Sequence, residues 1–258
     1  MRLASFRSTN RNDPWIRGFV MKSREREVRY EKMLPHEMDE AVSSFPVAYC
    51  PFGSLEWHGK HLPLGNDTLK AHYILIKTAE KFGGVVVPPT YWGFLNKWHP
   101  WTMNFFEESR RSLVEELYER IFLGLVDVGF KVIIGVTGHD VEPQKAAIQK
   151  AVEAVKKTGK ATGLAMMEGD LYDLTDDRMD HAAHWETSLM MYLKPELVDM
   201  DQIQEEDLES DEGRRKAGIY GRDPRMYASA ELGEKIADRI AERIGQRAQE
   251  LLASLGKE

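Results

Sequence analysis

Three short segments of the chain combine histidine with carboxylate side chains, the residue types that bind divalent metal ions and move protons in enzymes. The first segment, residues 53–67 with the sequence GSLEWHGKHLPLGND, contains Glu56 and His58 two positions apart. An extended backbone would point these two side chains to the same side. A carboxylate beside an imidazole suits zinc, manganese or iron, so this segment predicts a metal site.

Asp67, at the end of the first segment, has two interpretations. It stands where the next helix is expected to begin, so its carboxylate could bridge two cations or could simply cap the helix. His58 and His61 could likewise be functional residues or hydrogen-bonded loop histidines. Taken one at a time, these positions leave both interpretations open.

The second segment, residues 137–143, follows an apolar run and has the sequence TGHDVEP. His139 lies where this run meets the next predicted helix, with Asp140 and Glu142 beside it. Either carboxylate could ligate a metal or cap the helix that begins near Pro143, because the positive end of a helix dipole favours negative charge.

The third segment, residues 180–188, has the sequence DHAAHWETS and contains His181, His184 and Glu186. Glu186, at the start of a predicted helix, could be a metal ligand, a general base or a capping carboxylate. Three segments that each supply histidine and carboxylate are far less probable by chance than any one of them. The coincidence favours a functional site.

Short apolar runs alternate with stretches of helical periodicity along most of the chain. The predicted strands are residues 46–52, 85–89, 131–136 and 161–167. The predicted helices are residues 67–82, 111–126, 143–159 and 230–255. Because parallel strands need crossover connections, this alternation predicts an α/β fold with a mostly parallel central sheet and helices on both faces. In such sheets, functional sites form at the carboxyl ends of the strands.

The domain organisation is predicted to be simple. Residues 1–28 mix polar and apolar residues without periodicity and are expected to be an N-terminal extension, followed by one domain over residues 29–258. The charge-rich residues 200–216 are predicted to be a solvated loop. The last helix is expected to pack as a lid or as a subunit contact.

The composition limits the classes of protein that the chain can belong to. It has 258 residues, with 35 Lys and Arg against 42 Asp and Glu and a net charge of −7, which argues against a nucleic-acid binder. Its apolar runs are far shorter than the ~20 residues of a membrane span. Cys50 is the only cysteine, which excludes an intrachain disulfide and a cysteine zinc cage. The N-terminus does not resemble a secretory signal, so we expect a soluble cytoplasmic protein.

The motifs carry a family resemblance. Residues 53–67 resemble the creatininase (creatinine amidohydrolase) signature GSxEQHGxHLPLGTD, residues 138–139 resemble its NGH motif, and residues 181–188 resemble its HAGxxETS motif. The likeness extends from about residue 29 to about residue 252. It implies a single-domain α/β/α sandwich, a centre of two divalent metal ions (zinc, manganese or iron) and a homo-oligomer, often a hexamer.

The resemblance also implies roles for individual residues. The positions that match its metal ligands are Glu56, His58, Asp67 and His139, with Asp67 as the bridging carboxylate. His181 and Glu186 match an active-site histidine and glutamate near substrate and metal. His61 lies on the first motif, and we expect it to support the ligands.

Two departures from the family pattern concern the second metal. Creatininase proper has a ligand glutamate two residues after the histidine of its NGH turn, where this chain has Val141. Many relatives have asparagine three residues after it, where this chain has Glu142. We therefore expect Glu142, foremost, or Asp140 or Glu186 to hold the second ion, or that site to be weak.

The substrate side of the site is predicted from loop residues. Trp98 and His99, in a segment that departs from the family pattern, are expected to line a pocket for a flat or ring-shaped substrate, together with Asp140 and His184. Ordinary loop packing is the alternative for the aromatic residues.

These observations predict a metal-dependent hydrolase of a small cyclic substrate, with C–N cleavage of a cyclic amide or formamide by activated water as the first hypothesis. A second hypothesis is C–C ring opening of a cyclic diketone such as 3-dehydro-scyllo-inosose, because a metal that polarises a ring carbonyl also stabilises an enolate. A third is a degenerate, non-catalytic oligomeric scaffold or binding protein.

Overall fold

The computed structural model describes residues 26–94, 99, 101–103, 111–172 and 180–256 of the chain. Its strands are β1 (Val47–Phe52), β2 (Val85–Val86), β3 (Val132–Thr137) and β4 (Thr162–Met167). Its α-helices are α1 (Pro35–Ser44), α2 (Asn66–Phe82), α3 (Arg111–Val128), α4 (Glu142–Lys157), α5 (His184–Leu193), α6 (Asp211–Ala217), α7 (Pro224–Tyr227) and α8 (Ala230–Leu255).

The four strands form one parallel sheet in the order β2–β1–β3–β4. This confirms the predicted parallel sheet and places β1 and β3, which precede the first two histidine segments, side by side at its centre. β2 is shorter than predicted. The Val87 N–H still donates to the Tyr49 carbonyl at 2.8 Å, but Pro88 and Pro89 have no N–H with which to extend the ladder.

Helices cover both faces of the sheet, giving three layers. On one face α3 and α4 pack against the strands through side chains such as Phe122 and Ile148. On the other face α2, α5 and α8 pack together, and α8 contributes Ile236, Ile240 and Ile244 to the core. The apolar face of α8 is therefore internal to this chain, so the expected lid is wrong, whereas a subunit contact through the rest of α8 stays a prediction.

The charge-rich region at residues 200–216 is more ordered than predicted. It contains two short 3₁₀ turns and most of α6, where the Gly213 N–H donates to the Ser210 side chain. Asp207 is buried, and both of its carboxylate oxygens lie 2.9 Å from Lys60 Nζ. Local charge density predicted solvent exposure, but a partner 147 residues away allows one of these carboxylates to be buried.

The end of the predicted N-terminal extension lies against the sheet. Val28 is buried, and its carbonyl accepts a hydrogen bond from the Val86 N–H at 2.7 Å, beside β2. Residues 1–25 lie outside the described residues. Among the described helices, none combines the length and apolar character that crossing a membrane requires.

Candidate metal centre

Two strand-end turns meet the first turn of α2, and each contains a glycine that permits the contact. A Cβ atom on Gly138, after β3, would lie 2.2 Å from the carbonyl oxygen of Asp67. A Cβ atom on Gly53, after β1, would lie 2.4 Å from the backbone nitrogen of Thr68. Both distances are too short for a side chain, so glycine lets residues from two strands approach one helix N-terminus.

Asp67 lies at the centre of this junction and faces two histidines. Its Oδ1 atom is 2.8 Å from His58 Nε2, and its Oδ2 atom is 3.1 Å from His139 Nδ1. Ser54 Oγ donates to Oδ2 at 2.7 Å. The helix begins at Asn66 with Gly65 as its N-cap, and the Asp67 side chain does not cap it. Of its two interpretations, the structure favours a carboxylate that joins two imidazoles.

The two histidines are oriented by backbone carbonyls. His139 Nε2 lies 2.8 Å from the carbonyl oxygen of Phe94, and His58 Nδ1 lies 3.1 Å from that of Glu56. A carbonyl can only accept a hydrogen bond, so these nitrogens are assigned the proton. The other nitrogen of each ring then faces Asp67, an arrangement that is typical of metal-binding histidines.

The predicted ligands converge in space. Their candidate ligand atoms form three groups, each within 4.8 Å: Glu56, His58 and His181; Glu56, Asp67 and His139; and His58, Asp67 and Glu186. In the second group, His139 Nδ1 is also 3.2 Å from Glu56 Oε2. The six residues come from all three histidine segments, of which the first and the third lie more than 100 residues apart in the chain.

Two buried residues of the site were not predicted. Lys70, on α2 one turn after Asp67, places Nζ 2.5 Å from Glu186 Oε1 and 3.3 Å from Glu168 Oε1. Both were detectable in principle, because Lys70 is three positions after Asp67 on one helix and Glu168 directly follows β4. Burial raises the pKa of Glu168 to about 8, although Lys70 opposes the shift.

His61 and Glu186 are held by neighbouring groups. His61 is buried and its Nε2 is 2.9 Å from Oγ1 of Thr187, the residue after Glu186; its supporting role stays a prediction. Glu186 accepts hydrogen bonds from Lys70 at Oε1 and from the Ala182 N–H, 2.6 Å away, at Oε2. Burial raises the pKa of Glu186, but the charges of Lys70 and His58 outweigh it and lower the pKa, which keeps the carboxylate ionised.

Glu142 and Asp140 do not join the candidate ligand groups. Glu142 is exposed in the first turn of α4, outside the lining of the cavity. The Asp140 carboxylate accepts from the N–H groups of Glu168, at 3.1 Å, and Gly169, at 2.7 Å. Asp140 therefore ties the loop after β4 to the turn after β3.

A model of the creatininase family, described as creatinine amidohydrolase, matches residues 31–247. The chain belongs to the creatininase family. Among its relatives is a mycofactocin precursor peptide peptidase of Mycolicibacterium smegmatis, 28% identical over 169 residues, which are 62% of this chain and 63% of the peptidase. The match therefore spans less than two thirds of that protein. A creatinine amidohydrolase of Pseudomonas putida is 22% identical over 178 residues, 61% of this chain and 68% of that enzyme.

Solved creatininase structures share the fold. A creatinine amidohydrolase aligns with 88% of this chain and 99% of its own chain, with a TM-score of 0.71 and 21% identity. A manganese creatininase aligns with 87% of this chain and 98% of its own, again with a TM-score of 0.71 and 21% identity. These comparisons confirm the family resemblance and the single α/β domain.

In this creatininase-family chain, a cavity of about 660 Å³ opens beside the candidate ligands. It has an apolar wall on one side, with Tyr172 and Trp185 in edge-to-face contact, their ring centroids 4.2 Å apart. Leu189, Ile236 and Ile240 complete that wall. Trp185 lies inside the HAAHWETS motif, so its position was a signal that sequence reasoning could have used.

The residues predicted to contact the substrate do not form this wall. His99 stacks on Trp57, with ring centroids 4.0 Å apart, and is not part of the cavity lining. His184 is buried, with Nδ1 3.0 Å from Asp180 Oδ2, and also lies outside the lining. Asp140 does line the cavity, whereas Trp98 lies outside the described residues.

The free energy of unfolding of this protein without bound metal is expected to fall as the pH rises. Burial lowers the pKa of both histidines, but neighbouring carboxylates outweigh it and raise that of His58 to about 9 and that of His139 to about 10. These values exceed the unfolded value of about 6.5, so the stabilisation is complete below pH ~6.5 and is lost as the pH rises through ~9 to ~10.

Urea unfolding in chelator at several pH values between 6.5 and 10 tests this expectation. The free energy of unfolding should decline by a few kcal/mol across that range. Asp67→Asn, which removes the carboxylate shared by both rings, should flatten the decline. Equal stability of the chelated protein at both ends of the range would contradict it.

Proposed function

We propose that this chain is a divalent-metal-dependent hydrolase that cleaves the C–N bond of an amide. The observation that carries the proposal is Asp67 between two histidines whose remaining nitrogens bond to backbone carbonyls. The names of the relatives support it, because a peptidase and an amidohydrolase both hydrolyse C–N bonds. Solved relatives include manganese and zinc forms, which makes these two metals the first to test.

The donor chemistry at the junction fits a divalent ion. Glu56, Asp67 and His139 offer carboxylate oxygens and an imidazole nitrogen that face one another, a ligand set suited to manganese or zinc. When bound, such an ion lowers the pKa of a water molecule and polarises a carbonyl group. The protein's contribution is to hold these donors in a buried position beside a cavity.

His181 is proposed to carry the proton that the leaving nitrogen needs. Its ring lines the cavity, stacks on His58 at 4.2 Å and has Nε2 2.9 Å from the carbonyl oxygen of Trp57. Burial and the His58 charge lower the pKa of His181, so the ring is neutral at pH 7 and able to accept a proton. Glu186, with both oxygens already hydrogen-bonded, is better suited to provide a fixed charge.

The reaction balances with water as the only co-substrate. Water adds to the amide carbon, the C–N bond breaks, and the nitrogen leaves with a proton as an amine while the carbon becomes a carboxylic acid. A cavity of about 660 Å³ is within the range for small-molecule sites and accommodates a cyclic amide or a short peptide. The aromatic wall formed by Tyr172 and Trp185 suits an apolar or flat substituent on that substrate.

Product analysis with the metal-loaded protein tests the proposal. Creatinine, a formamidopyrimidine, short peptides and a diketo-inositol are incubated with manganese-loaded, zinc-loaded and chelated protein, and the products are identified by mass spectrometry. Metal-dependent release of an amine or opening of an amide ring supports C–N hydrolysis. Turnover of the diketone alone would support C–C cleavage instead. Absence of both turnover and metal binding would favour the scaffold hypothesis.

His181→Gln is expected to lower kcat by about 10²- to 10⁴-fold while the bound metal is unchanged, because an amide cannot relay a proton. Glutamine retains an N–H group that can bond to the Trp57 carbonyl. The measurements are kcat and metal per chain on the same preparation. Loss of metal in the variant would make His181 a ligand and would contradict its role as proton carrier.

We further propose, from the family resemblance, that the protein is a cytoplasmic homo-oligomer. Light scattering of the purified chain tests the oligomeric state. A monomeric mass at micromolar concentration would contradict that part of the proposal.

A further inference from the structure

A buried lysine, Lys70, lies beside the candidate ligand group formed by His58, Asp67 and Glu186. Lys70 is 2% exposed, lines the cavity and lies between the carboxylates of Glu168 and Glu186. Its Nζ lies 2.5 Å from Glu186 Oε1 and 3.3 Å from Glu168 Oε1. A lysine side chain carries a charge at neutral pH, and the Glu186 carboxylate is the partner that a buried charge requires.

The carboxylates that could hold a second ion have other partners. The Glu186 oxygens accept from Lys70 and from the Ala182 N–H. The Asp140 oxygens accept from two backbone N–H groups, and Glu142 is exposed outside the cavity. An ion between His58, Asp67 and Glu186 would stand beside the Lys70 ammonium, where like charges repel. A valine, Val141, lines the cavity nearby and has no ligand atom.

The group formed by Glu56, Asp67 and His139 does not include a carboxylate that bonds to Lys70. Its imidazole faces both carboxylates, at 3.1 Å and 3.2 Å, and the other oxygen of Asp67 faces His58. The carboxylates that bond directly to Lys70 are those of Glu168 and Glu186, and neither belongs to this group. The group that contains Glu186 therefore has the Lys70 ammonium beside it, whereas the group that contains Glu56 and His139 has no ammonium bonded to its carboxylates among the described residues.

We propose that the protein binds one divalent ion, held by Glu56, Asp67 and His139, and that the Lys70 ammonium supplies the positive charge of the second position. The inference rests on the proposed metal-dependent hydrolysis and departs from the two ions that the family resemblance implies. The ammonium has three N–H donors, of which two bond to Glu168 and Glu186. The third is available to an oxygen atom of a substrate in the cavity, such as an amide carbonyl oxygen.

Elemental analysis of protein saturated with manganese or zinc and then freed of excess metal tests the proposal. We expect about one ion per chain in the wild type and about none in His139→Ala. A wild-type content of about two would overturn the proposal while leaving metal-dependent hydrolysis intact. A content of zero under saturating metal would overturn both, so the two failures are distinguishable.

Variants test whether Lys70 excludes the second ion. Lys70→Ala removes the ammonium from beside Glu168 and Glu186, so its metal content should rise to about two ions per chain. Lys60→Met, which removes the lysine partner of Asp207 outside the cavity, is the matched control and should stay at about one. A content that stays at one in a folded Lys70→Ala variant would overturn the role of Lys70.

His58→Ala tests the assignment of the ion independently, which matters if Lys70→Ala does not fold. His58 is not a ligand of the single proposed ion, so this variant should retain about one ion per chain. If His58→Ala bound one ion fewer per chain than the wild type, the assignment of the single ion to Glu56, Asp67 and His139 would be overturned.

Discussion

Asp67→Asn is expected to remove the bound metal and to abolish hydrolysis. The substitution keeps the size of the side chain but replaces a charged oxygen with an NH₂ group, which donates hydrogen bonds and cannot ligate a metal. In the native protein both oxygens of Asp67 face imidazole nitrogens, at 2.8 Å and 3.1 Å. Loss of groups that merely orient ligands costs 10- to 100-fold in metal affinity, so loss of this ligand should cost at least ~100-fold.

Metal titration followed by calorimetry measures this effect, and circular dichroism establishes that the variant is folded. Glu142→Gln is the control, because it also removes one negative charge but from an exposed side chain in the first turn of α4. We expect Glu142→Gln to bind metal as the wild type does. Stoichiometric, tight binding by Asp67→Asn would remove the basis of the proposed centre, and loss of metal in Glu142→Gln would restore Glu142 as a ligand.

Gly138→Ala is expected to have the largest effect on stability. The new Cβ atom would stand 2.2 Å from the carbonyl oxygen of Asp67, and a backbone atom cannot rotate away as a side chain can. The turn after β3 must then move off α2, at a cost of about 3 kcal/mol. For a chain of this size that corresponds to a fall in Tm of roughly 6–12 °C. His139, the next residue, moves with the turn, so metal affinity should fall too.

Gly124→Ala is the matched control for this prediction. Gly124 lies in the interior of α3, and apart from its chain neighbours and its own helix backbone no described atom is within 4 Å of the position that a Cβ would occupy. Alanine there should increase the free energy of unfolding by about 0.5–1 kcal/mol, because it favours the helix. Thermal unfolding should show a lower Tm for Gly138→Ala and a higher Tm for Gly124→Ala, because only Gly138 lies against the backbone of another element. A Gly138→Ala protein as stable as the wild type would contradict the geometry of the junction.

The sequence by itself determined the order of elements and the chemistry of the ligands. The strand at residues 131–136 and the helix at residues 230–255 follow from local periodicity, and the structure places them within a residue or two of the prediction. Periodicity is a local property, so it survives in the linear sequence. Likewise, residue types and positions after strands marked Glu56 and His139 as candidates, and the family resemblance implied their role as metal ligands.

Only the tertiary structure decided which of these side chains meet. Glu142 and Glu186 each lie in the first turn of a helix and look alike in the sequence, but one is exposed and the other is buried against Lys70. The Lys70–Glu186 pair spans 116 residues, so no local pattern records it. Whether a charged group can be buried depends on its partner in space, and the order of the strands determines that partner.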